Sequence, residues 1–68
     1  MDQIRLLVAK QALEIYIQFD GKMQLTRNGA QLAIKNVIEP ITGKTYKRSM
    51  AGKHEALRDC EALLAASE

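Results

Sequence analysis

Residues 39–48, Glu39-Pro40-Ile41-Thr42-Gly43-Lys44-Thr45-Tyr46-Lys47-Arg48, constrain the fold more than any other stretch. They hold the chain's only proline, with a glycine three positions later. Proline lacks the N–H that a helix interior or a central strand uses, and its ring crowds the carbonyl four residues back. Gly43 can take a positive φ without strain. Whatever precedes residue 40 is therefore expected to end there. Lys44, Lys47 and Arg48 then open a new, basic element.

Two more turn signals lie upstream, Asp20-Gly21 and Asn28-Gly29. Both pairs suit β-hairpins. A two-residue Asn28-Gly29 turn sets Leu25 opposite Leu32 and Met23 opposite Ile34, with Thr26 against Gln31 and Lys22 against Lys35 on the other face. A three-residue loop, Phe19-Asp20-Gly21, then sets Ile17 against Met23 and Ile15 against Leu25. Apolar meets apolar throughout, as a half-buried antiparallel sheet requires. A one-residue slip would reverse every side chain, so the pattern selects this register.

The expectation is an α+β fold, an antiparallel meander of three or four strands packed on a C-terminal helix. The strands run roughly over 14–18, 22–27 and 30–35, with a fourth near 44–49. Their predicted core face is Ile15, Ile17, Met23, Leu25, Leu32 and Ile34. A short helix over 2–12, capped by Asp2, is compatible with Ile4, Leu7, Val8 and Ala12. The C-terminal helix, about 52–66, carries one apolar stripe of Ala56, Leu57, Cys60, Leu63 and Leu64. An all-α three-helix bundle competes with this reading. Ile4 to Phe19 can form one helix ended by Gly21. Ala30, Ala33, Ile34, Val37, Ile38 and Ile41 keep helical spacing, with Asn28 as their cap.

Sixty-eight residues, 47% apolar and 26% charged, make one small globular domain, 1–68. A core this small would gain from a second copy, so a homodimer is among the expectations. No apolar run is long enough to cross a membrane. Asp2 and Arg5 interrupt any signal-like region, and the single cysteine suits a reducing, cytoplasmic setting.

No catalytic constellation appears. His54 and Cys60 are each the only residue of their type, too few for a zinc site, and Cys60 falls on the apolar stripe. Thr42-Gly43-Lys44-Thr45 lacks the upstream glycine of a phosphate loop, where Ile38 stands. Neither a metal nor a cofactor is expected.

Charge points to binding. Residues 1–43 carry +1, residues 44–54 carry +4 before His54, and residues 55–68 carry −3. An anionic partner should meet the middle block. The outer sheet face would present Tyr16, Gln18, Lys22, Gln24, Thr26, Gln31 and Lys35 to bases. Lys44, Lys47, Arg48, Lys53 and His54 would hold phosphates. The function expected is thus a small non-enzymatic nucleic-acid-binding or regulatory protein. The alternative is a protein-interaction module, an inhibitor or adaptor with no nucleic-acid contact.

Glu39 to Lys44, Arg48-Ser49 and Lys53 to Ala56 resemble the acidic-Pro-x-Thr-Gly-Lys turn, strand end and helix start of the N-terminal arm-binding domains of phage and transposon tyrosine integrases. That resemblance covers less than half the chain. It implies three antiparallel strands on a C-terminal helix, DNA read by the sheet, and an accessory role in a mobile element. The aromatic that usually precedes the helix is missing here. Double-stranded-RNA-binding domains share a helix–three strands–helix order, and Lys53-His54 stands where they carry a lysine pair.

Overall fold

The computed structural model describes residues 2–66, with side chains from residue 3 onward. Its elements are α1 (Asp2–Gln18), α2 (Gln24–Ala33), a π-helical segment (Ile34–Ile38), α3 (Glu39–Thr42) and α4 (Met50–Ala66). α2, the π segment and α3 follow without a break, so the described residues form three rods. No strand occurs among the described residues. The predicted meander, with strands at 14–18, 22–27, 30–35 and 44–49, is therefore overturned. The fold is all-α, the competing arrangement. None of the three strands implied by the integrase resemblance occurs among the described residues, and the C-terminal helix is common to both.

The burial pattern shows why helix wins. Leu6, Ala9, Leu13 and Tyr16 of α1 are buried, and so are Ala30, Ala33, Ile34 and Ile38 of the second rod. The first set recurs every three or four residues and the second follows the i, i+3, i+4, i+8 pattern of a helical face. The alternating set Ile15, Met23, Leu25 and Leu32, predicted to form a sheet core, is exposed instead. Leu13, Ile38 and Cys60 are the largest side chains fully enclosed. Each aliphatic one contributes roughly 1.5–3 kcal/mol by burial.

Asp20-Gly21 closes a helix rather than a hairpin. Both residues have positive φ, 56° and 71°. The Gly21 N–H donates to the Tyr16 carbonyl at 3.0 Å and the Asp20 N–H to the Ile17 carbonyl at 2.9 Å. These are the paired bonds of a Schellman motif. Hairpin turn and helix cap make the same demand for left-handed backbone, so the dipeptide signals either. Asn28-Gly29 is overridden altogether and lies inside α2. Asn28 does not cap that helix, because the N-cap is Met23, in extended conformation and without a side-chain cap bond. The Asp2 cap expected for α1 falls on a side chain outside those described.

Pro40 does not end its helix. It sits in α3, directly after the π segment, where the Glu39 N–H reaches back to the Ile34 carbonyl. That bond spans five residues instead of four. The widened turn lets the rod pass the position where proline offers no N–H and its ring would strike the preceding turn. Gly43 does end the rod, at φ 73° in the left-handed region, its N–H on the Glu39 carbonyl at 2.8 Å.

The three rods set the path of the linker. α1 and the second rod form an antiparallel hairpin. α4 also runs antiparallel to α1. Its first turn lies at the end of α1, with Lys53 Nζ over the Tyr16 ring, and Cys60 Sγ meets the Leu6 carbonyl near the start. The second rod and α4 thus point the same way. Residues 44–47, without helix or strand, return along the bundle, and a bend at 48–49 leads into α4.

Candidate functional site

The returning linker is pinned at Tyr46. Its N–H donates to Glu39 Oε2 at 3.2 Å, and its hydroxyl donates to Asp59 Oδ2 at 2.5 Å. Lys44 Nζ donates to the same Asp59 oxygen at 2.9 Å and to Glu55 Oε2 at 3.2 Å, and lies 5.4 Å from the Tyr46 ring centroid. The hydroxyl of Tyr46 and the ammonium of Lys44, in that order, hold the Asp59 carboxyl below its ordinary range. Burial, reinforced by the Asp59 bond, pushes the Tyr46 phenol up. Tyr46 therefore faces inward, and Lys44 is tied to two carboxylates rather than turned to a partner.

Past Tyr46 the linker forms one wall of a cleft of about 180 Å³. Gln31, Ile34, Lys35 and Glu39 line it from the second rod, Tyr46, Lys47 and Arg48 from the linker, and Lys53 from α4. Four cations thus surround it with one acid, and Glu39 already accepts the Tyr46 N–H. Lys35, Lys47 and Arg48 are exposed. Among the described residues, the only ion pairs are the two made by Lys44.

Lys53 is unusual, at 2% exposure. Its ammonium donates to the Arg48 carbonyl at 3.0 Å and lies 5.4 Å from the Tyr16 ring centroid. Burial first, then the charge of Arg48, lowers its pKa. A buried charge is normally compensated by an opposite one. Here the local compensation is a carbonyl and an aromatic face, and an anion in the cleft would add the missing charge.

The proposed base-reading face does not exist as one surface. Tyr16 is buried beneath Lys53. Gln18 ends α1, Lys22 lies in the loop, and both are exposed. Gln24 donates to Asn28 at 3.4 Å, and the Thr26 hydroxyl donates to the Met23 carbonyl at 2.7 Å. Only Gln31 and Lys35 reach the cleft, and they do so because residues four apart share a helix face. Of the basic block, Lys47, Arg48 and Lys53 converge there. His54 is exposed on α4 and is not in the lining. Glu39, which pins the linker, was legible only as part of a turn.

Cys60 is a core residue, fully buried, its thiol donating to the Leu6 carbonyl at 3.1 Å and raised in pKa by burial. Among the described residues, no three His, Cys, Asp or Glu side chains converge to hold a metal. Among those same residues, no helix is long and apolar enough to cross a membrane. No family model, curated protein or solved structure matches the chain.

Proposed function

We propose that this chain is a non-enzymatic nucleic-acid-binding protein that grips a phosphate backbone through the cleft between its second rod, its linker and α4. One observation carries the reading: Lys35, Lys47, Arg48 and buried Lys53 converge on a cavity lined by a single acid, Glu39, which accepts the Tyr46 N–H through one of its oxygens. The three exposed cations come from two different segments, which suits a run of phosphates better than one small anion. Gln31 beside them is the lining side chain able to meet a base edge or sugar. The contacts are otherwise positioning contacts, so modest sequence preference is expected.

Fluorescence anisotropy with labelled duplex DNA, single-stranded DNA and RNA tests this. Affinity should fall steeply between low and physiological salt. Replacing Lys47 and Arg48 together by alanine should make the slope of log affinity against log salt shallower by about two, roughly one for each phosphate no longer neutralised. Absence of binding to all three probes at low salt would sink the proposal.

A further inference from the structure

The side of α1 turned away from the core is also apolar. Ile4, Val8, Ile15 and Phe19 stand open at 61%, 60%, 44% and 44% exposure. With Gln11 they follow a three–four spacing, like the seam of a helix bundle. A helix that is apolar on two sides is normally covered on both. The second rod continues this surface with Leu25 and Leu32, at 80% and 58% exposure. Between the rods lies a hollow of about 220 Å³, lined by Ala12, Ile15, Leu25, Thr26 and Gly29. It shares no lining residue with the basic cleft.

Gly29 is the informative residue. It sits inside α2, where glycine is among the poorest helix formers. Its φ is not positive, since Gly21 and Gly43 are the glycines in that region. A Cβ built on it would meet nothing within 4 Å. Nothing inside the molecule requires a glycine there. A glycine there leaves room for another backbone to approach closely from outside.

We infer that this face joins two copies of the chain about a twofold axis, packing two α1–α2 hairpins into a four-helix bundle. The surface is self-complementary: Leu25, 80% exposed, lines the hollow together with Ala12, Ile15, Thr26 and Gly29, so a twofold seats each copy's leucine against the other's hollow. None of the residues named on this face is charged. A twofold interface demands this near its axis, where each side chain meets its own copy. A different partner could have used charge for recognition. Six large apolar side chains, each roughly half exposed or more, make a patch of several hundred Å². Their polar neighbours bring it towards the roughly 800 Å² per partner of a standard interface. Gln11, polar in the middle of the seam, fixes the register.

Sedimentation equilibrium from micromolar to millimolar protein tests the inference. The wild-type chain should dimerise. Leu25→Glu should weaken the dimer at least tenfold, and Gly29→Leu should do the same by blocking close approach. Both variants should keep their helical circular dichroism, because position 25 is exposed and position 29 opens onto free space. Lys47→Ala with Arg48→Ala should leave the dimer intact, which separates this inference from nucleic-acid binding. A wild-type chain that stays monomeric throughout overturns it, as does a dimer indifferent to both face variants. A monomeric chain that pellets with phosphatidylcholine vesicles, but not as Leu25→Glu, would assign the face to lipid and overturn it equally.

Discussion

Gly29 and Gly52 are both helical glycines, one in α2 and one in α4, and they stand in opposite surroundings. A Cβ on Gly52 would run into the backbone of Lys47, including its carbonyl. A Cβ on Gly29 would meet open space. The first glycine is explained by the molecule itself: the linker crosses α4 so closely that no side chain fits, and this crossing brings Lys47 and Arg48 over Lys53. The second is explained by nothing inside. One glycine shapes the basic cleft, and the other marks the surface on the far side of α2 from it.

The largest effect should come from breaking the first. Gly52→Ala forces a methyl against backbone that cannot swing aside, and should cost about 3 kcal/mol or more. Urea unfolding measures the loss. A change below the range of ordinary surface substitutions would show that the linker is loosely seated.

Removing the pin next to that crossing should have a smaller effect. Tyr46→Phe deletes the hydroxyl bonded to Asp59 and should cost about 1.5 kcal/mol, the lower end for a hydrogen bond to a charged group, because Asp59 is partly solvated. The pH dependence gives the sign. The folded Asp59 pKa lies below 3.8, so its contribution is present above the ordinary carboxylate range and disappears as pH falls through the folded value. Stability should therefore drop as pH falls through the ordinary carboxylate range and on through the lowered folded value, and Tyr46→Phe should flatten that limb. Lys44 and Tyr46 are shifted upward, so their contribution is present below pH 10 and is lost as pH rises through the raised values. Unfolding followed across both limbs checks each direction.

The smallest effect belongs to Gly29, and its sign is opposite. Gly29→Ala should stabilise the fold by about 1 kcal/mol, since alanine is the better helix former and its methyl has room. A thermal melt at low protein concentration measures it. Destabilisation there would mean that an intramolecular contact does need the glycine.

These contrasts explain what could be read in advance. The C-terminal helix was legible because Ala56, Leu57, Cys60, Leu63 and Leu64 repeat at one period with no turn signal among them. Gly43 was legible as a stop. The basic block was visible as charge, but not the separation of Lys44 from Lys47, Arg48 and Lys53. That separation depends on Asp59 and Glu55, which lie on α4, well beyond Lys44 in sequence, and come beside it only after folding.

The sheet reading failed for a specific reason. The chain carries more apolar residues than its own core encloses. Ile15, Leu25 and Leu32 belong to the open face, Met23 is exposed at the N-cap of α2, and interleaved with Ile17 and Ile34 these four imitate an alternating strand. Asp20-Gly21 lent it support, because the left-handed backbone of a hairpin is also that of a helix cap. By itself, then, the sequence determined one helix, one stop, a basic segment and a surplus of apolar side chains. The tertiary structure decided which apolar face is buried, where the linker returns and which cations meet. Those outcomes rest on contacts between rods, and local pattern carries no record of the rod that will lie alongside.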